Sequence, residues 1–280
     1  MASTTAIPYL FLGLSIFLSR VTSRVWLYFF VVAAVYAWST GRIGFVPVLA
    51  FGILAGFGEL YLRQMFGLGW LWALGAGLVS GLIFLRLLPG FNNLNIFKGF
   101  VGSEIASPYS LWLNFDKPVV GLILGHYFCK RKTLNLKSLS SILLSASKIC
   151  LVGCLVVYSL AWGLGYVGWE PKIPEILWLW IPINLLGTCV AEEALFRGLL
   201  QDKMLGPILR QPFSLVFAAL AFGASHFAGG WKYIALASVA GIFYGWAYEK
   251  GGKSLDAAVL CHFGLNLGHL LLLTYPSLPL

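Results

Sequence analysis

The sequence predicts an all-α, polytopic membrane protein with eight to ten transmembrane helices. Three observations carry that prediction. Of 280 residues, 59% are hydrophobic and only 10% are charged, where a soluble domain carries about 25% charged residues. The mean hydropathy is +0.86. The apolar residues also gather in long runs, and a helix needs about 20 of them to cross a bilayer.

Ten apolar segments follow one another, at 7–18, 25–38, 43–62, 68–88, 119–129, 141–167, 176–200, 213–229, 233–248 and 255–275. The shorter ones are expected to be tilted, paired or re-entrant. The first segment lacks a basic flank and is not expected to be a cleaved signal. No internal repeat is visible. The chain divides into N-terminal membrane helices, 1–139, with a long loop at 89–117, and a core at 140–280. The loop holds Pro, Gly and Asn turn signals among several aromatics. Those aromatics favour a segment lying on the membrane surface.

Charge sets the expected orientation. The net charge is +9, and the densest basic stretch is Lys130-Arg131-Lys132, followed by Lys137 and Lys148. The positive-inside rule places it in the cytosol. The 169–175 loop is then external, and the turns near Lys203, Arg210, Lys250 and Lys253 are internal. Lys232, in a short outer turn, is the exception. The positive charge suits anionic lipid. No basic run is interleaved with aromatics, so nucleic acid is not an expected partner. The five cysteines, Cys129, Cys150, Cys154, Cys189 and Cys261, show no metal-ligand spacing and read as buried small hydrophobes.

Ala191-Glu192-Glu193-Ala194-Leu195-Phe196-Arg197 interrupts the seventh apolar segment. A charge at mid-bilayer costs roughly 2.5–3.5 kcal/mol on insertion scales and marks a functional site by default. Glu193 and Arg197 stand at i,i+4 and can pair. Glu192 points about 100° away around the helix and is freer for chemistry. A purely structural ion pair is the competing reading of these three residues. The next segments add His226, then His262 and Asn266 at i,i+4. A lone histidine in an apolar helix is usually just packed. Two histidines, an asparagine and the Glu-Glu-Arg cluster together point to a site. At 1.5 Å per residue, Glu192, His226 and His262 lie roughly 10–20 Å from the cytosolic ends of their helices, so one cytosolic pocket could hold them. His126 and His269 read as packed, Glu59 as interfacial and Asp256 as a helix cap.

Three motifs, Glu-Glu-x-x-x-Arg (Glu192, Glu193, Arg197), Phe-x-x-x-His (Phe222, His226) and His-x-x-x-Asn (His262, Asn266), resemble those of the CPBP family. These are the CAAX proteases and bacteriocin-processing enzymes, also called Abi or type II CAAX prenyl endopeptidases (Rce1-like). The resemblance covers 176–270. The stretch 89–117, with PGFNN and LNFDKP, is similar to a bacterial branch of the family. The resemblance implies a glutamic intramembrane endopeptidase acting on a membrane-associated protein or peptide; the 89–117 stretch points to the bacterial inner membrane, and the charge bias and helix depth to a site open to the cytosol. Glu192 would be the general base and His226 would help bind the attacking water. His262 and Asn266 would hold the oxyanion, and Glu193 and Arg197 would orient the site. No cofactor is implied.

The chemistry agrees, since peptide hydrolysis needs an activated water, a proton donor for the leaving amine and oxyanion donors. A zinc protease using Glu192, His226 and His262 is the rival enzyme reading, although no HExxH is present. Outside enzymes, a transporter or scaffold could use the same residues as a proton or ion relay.

Overall fold

The computed structural model describes residues 6–21, 24–100, 105–129 and 136–279. Ten helices follow the ten apolar segments in order. They are α1 (Ile7–Val21), α2 (Val25–Ser39), α3 (Phe45–Leu62), α4 (Gly69–Phe84), α5 (Asp116–Tyr127), α6 (Leu136–Gly163), α7 (Leu177–Leu205), α8 (Phe213–Ala224), α9 (Gly230–Lys250) and α10 (Leu255–Leu272). The cluster Lys130-Arg131-Lys132 lies outside the described residues.

The protein is mostly helical, at 72%, but not all-α. The 89–117 loop folds into an antiparallel hairpin of β1 (Leu94–Phe100) and β2 (Tyr109–Leu113). Leu, Ile, Tyr, Trp and Phe dominate both strands, and such residues suit a half-buried pleated surface. Leu111 is buried with Ile176, Trp180 and Leu270. The segment therefore packs onto the helices as a hairpin, where the sequence suggests a piece lying flat on the membrane.

The count of eight to ten spans is not reached on length. Among the described residues four helices are long and apolar enough to cross a membrane: 45–62, 142–163, 177–205 and 255–272. A fifth span forms if α8 and α9, which bend by 58° at their junction, are taken together. α1, α2 and α4 have 15 or 16 residues each, short of the roughly 20 a straight span needs. α5 has 12 residues and is buried along nearly its whole length, as expected of a core helix of that size.

Two close approaches fix the core. A methyl group on Gly121 of α5 would lie 2.6 Å from Ala191 Cα of α7. One on Gly223 of α8 would lie 2.6 Å from the Ile234 carbonyl oxygen of α9. Helices in a membrane gain little from the hydrophobic effect on meeting each other, so small residues that let backbones touch decide the packing. At one end of the bundle, Arg20 Nε and Nη2 grip both carboxylate oxygens of Asp256 at 2.9 and 2.8 Å. Asp256 thus ties α1 to α10 and is not the helix cap that its position suggests. At the same end Lys253 and Lys203 pair with Asp202. At the other end the connection after α6 is stitched to the end of α10, through Glu170 N–H to Leu272 O and Thr274 N–H to Gly168 O.

The charge bias and these two ends make a direct prediction. Ile173 and Ile208 are both strongly exposed, at opposite ends of α7. In a cysteine-free background, Ile173→Cys should react with a membrane-impermeant maleimide on intact cells. Ile208→Cys should react only after permeabilisation. The reverse pattern would invert the protein in the membrane.

Candidate active site

α7 is wound unusually. Its hydrogen bonding widens to the i→i+5 pattern over Ile183–Cys189 and again over Ala194–Leu205, on either side of the α-helical turn Val190–Glu193. Such widened turns are rare and collect at functional sites. Glu192 and Glu193 both sit in the intervening turn and are buried.

Their surroundings differ completely. Glu193 is fully enclosed, and its Oε2 lies 3.2 Å from Arg197 Nε, the i,i+4 pair that helical spacing requires. Arg197, also fully enclosed, donates from Nη2 to Gly241 O at 2.9 Å. Its guanidinium rests on the rings of Phe222 and Tyr244, at 4.9 and 5.6 Å from their centroids. Glu193 Oε1 takes a 2.8 Å bond from His262 Nδ1. The His262 ring is stacked on Tyr244 at 4.4 Å with 12° between planes. With Nδ1 on a carboxylate, His262 has Nε2 left for another partner.

His226 lies just past the last turn of α8, not within a helix as the apolar run suggests. The chain bends here, and the His226 ring is held between Phe222 and Tyr233, at 4.7 and 4.9 Å. Its Nδ1 is 2.8 Å from the Phe222 carbonyl. A carbonyl only accepts, so the proton is on Nδ1 and Nε2 is the free nitrogen. Asn266 donates from Nδ2 to Asn184 Oδ1 at 3.3 Å.

Glu192, His226, His262 and Asn266 line one cavity of about 330 Å³. Glu193 and Arg197 lie behind it. The six residues singled out in the sequence therefore form one cluster, four on the cavity and two supporting it. His269 also reaches this wall, its Nε2 3.2 Å from Thr274 O. It is hydrogen-bonded, as a packed histidine should be. Cys129, Cys150, Cys154, Cys189 and Cys261 are all free thiols, with Cys150 and Cys154 only half-buried.

The cavity continues past the helix ends, to Tyr166, Val167, Leu273, Tyr275 and Pro276. Those residues belong to the end of the bundle opposite Lys203 and Lys253.

Two residues here carry no signal in the motifs. Asn184 is a single amide in an apolar run, and its partner Asn266 is 82 positions away. Lys117 Nζ is 3.5 Å from Glu192 Oε1, and it sits in the first turn of α5, at the end of a stretch whose sequence reads as a loop where charge is unremarkable. Among the described residues no group of three or more His, Cys, Asp or Glu side chains is arranged to hold a metal ion.

Residues 174–268 match the family model described as type II CAAX prenyl endopeptidase, Rce1-like. The match is consistent with the CPBP family. It runs from the connection before α7 into α10 and contains all three motifs. Proteases of this family act on protein or peptide substrates in a membrane setting, and no nucleic acid is indicated. No curated protein and no solved structure matches the chain.

The Rce1-like segment depends on its buried ion pair. Glu193→Gln leaves Arg197 buried and charged without its carboxylate, a change that typically costs about 3–5 kcal/mol. The expected result is a lower melting temperature and yield in detergent. The double variant Glu193→Gln/Arg197→Met should melt above the single one.

Proposed function

We propose that this chain is a glutamic-type intramembrane endopeptidase that hydrolyses a peptide bond of a membrane-associated protein or peptide. The observation that carries the reading is the meeting of Glu192, His226, His262 and Asn266 on one cavity wall within the bundle.

In this reading Glu192 takes a proton from a water held between it and His226. The hydroxide adds to the substrate carbonyl. His262 and Asn266 receive the oxyanion, and Glu192 returns the proton to the leaving amine. Glu193 and Arg197 are positioning residues. They fix the His262 ring, which in this step is the imidazolium, its Nδ1–H on Glu193 and its Nε2–H donated to the oxyanion. Preorganised donors of this kind are usually the largest electrostatic contribution to such a reaction. Asn184 plays the same part for the Asn266 amide. No step requires a metal.

The test begins without a known substrate. N-terminal proteomics of membranes from cells carrying the native protein should reveal new protein N-termini, and these should vanish with Glu192→Gln. An amide cannot take a proton from water at neutral pH, and Gln keeps the size of Glu. The variant should therefore bind a peptide spanning the identified site yet not cleave it. On that peptide Asn266→Ala should lower the rate by about 10²–10³-fold. Activity of the purified protein should survive dialysis against a strong chelator. Zinc-restored activity after chelation, or cleavage by Glu192→Gln, would overturn the mechanism.

A further inference from the structure

The segment 89–117 lies outside the matched region, yet it ends at the candidate base. We propose that Lys117 is a positioning residue for Glu192, and that the Asn93–Asp116 clamp of this segment delivers it. The inference rests on Glu192 being the base.

The contact is one-sided. Lys117 Nζ approaches Oε1 of Glu192 at 3.5 Å, and Lys117 is not part of the cavity wall. It reaches Glu192 from the side of α4 and α5, its ammonium 5.1 Å above the Phe84 ring. A cation on one carboxylate oxygen from behind leaves the other oxygen for a water in the cavity. A cation beside a carboxylate favours its ionised form, the form a base requires.

The lysine is delivered by a built support. The hairpin register pairs Leu94 with Leu113, which brings Asn93 beside Phe115 and Asp116. Asn93 Oδ1 accepts from Phe115 N–H at 2.9 Å, and Asn93 Nδ2 donates to Asp116 Oδ2 at 2.9 Å. Asp116 Oδ1 accepts the Lys117 N–H at 2.7 Å. Asp116 is almost fully buried. Asn92 secures the other side, donating from Nδ2 to Gly41 O at 2.7 Å. The PGFNN and LNFDKP stretches are thus the two halves of one clamp. From there α5 runs against α7 with Gly121 on Ala191, next to Glu192. The other charged or titratable groups around Glu192 among the described residues include His226 after α8, Tyr233 on α9, His262 on α10, and Glu193 and Cys189 on α7 itself.

Infrared difference spectroscopy tests this without any substrate. The purified native protein in lipid nanodiscs is titrated, and the protonated-carboxyl band of Glu192 is identified by its loss in Glu192→Gln. In Lys117→Met the band should appear at a pH higher than in the native protein by about one unit or more. Lys117→Arg should return it most of the way. Lys117→Gln, which keeps a polar side chain, should behave like Lys117→Met and serves if that variant does not fold. Asn93→Ala, which keeps the lysine but loosens its support, should shift the band the same way by less. An unmoved band in Lys117→Met or Lys117→Gln, or a band in no variant, overturns the proposal. An unmoved band in Asn93→Ala overturns the part given to the clamp. None of these outcomes depends on hydrolysis, so a failed cleavage assay and a failed Lys117 contact are told apart.

Discussion

The Glu193–Arg197 pair is the constraint on which the rest of the structure depends. Both side chains are fully enclosed, and removing two ions from water costs several kcal/mol each. Attraction between the two rarely offsets that alone. The remainder comes from other helices: His262 of α10, the Gly241 carbonyl of α9, and the faces of Phe222 on α8 and Tyr244 on α9. Satisfying one ion pair on α7 therefore fixes how α8, α9 and α10 lie against it. The compensation is incomplete among the described residues, since Arg197 Nη1 is buried with no hydrogen-bond partner there. An arrangement of this kind is poor value as pure stabilisation. It makes sense as a scaffold that turns the adjacent Glu192 toward the cavity.

Adjacent glutamates can divide their tasks because a helix separates neighbouring side chains by about 100°. One faces the interior of the bundle and the other faces the cavity. The same geometry explains the glycine at 121. α5 meets α7 at Ala191, and a side chain at 121 would push the helix bearing Lys117 away from Glu192. Backbone contact at 121 and charge contact at 117 stand about one helical turn apart on α5, so one crossing serves both.

Much of this could be seen in the sequence. Each of the ten apolar runs became one helix, because hydropathy separates helix from connection well in such a chain. The site residues were visible for a related reason: carboxylates, histidines and an asparagine stand out in apolar runs. What could not be seen was whatever depends on distant pairing. Asp256 looks like a cap until Arg20, 236 positions away, is found on it. The hairpin looks like a loop because its turn signals are local while its register is not. Span number was not legible because 119–129 is as apolar as a membrane segment, and only its burial shows that it packs inside the bundle. Lys117 was invisible because a lysine after an aspartate at a loop end is ordinary.

That last point bears on where the functional unit begins. The family match starts at residue 174, and the three motifs within it supply every residue on the proposed reaction path. The candidate base, however, takes its charge partner from residue 117. The backbone of its helix is in contact with α5. The buried cluster that contains α5 draws on α1 to α4 and also on Cys189, Val190, Ala194 and Leu199 of α7. One face of α7 thus belongs to the motif-bearing helices and the other to the N-terminal half. A division at about residue 140 separates sequence with motifs from sequence without them, but it does not separate the charges that act on Glu192. In a medium where an unpaired carboxylate is costly, the helix that carries the cation is as much a part of the site as the helix that carries the base.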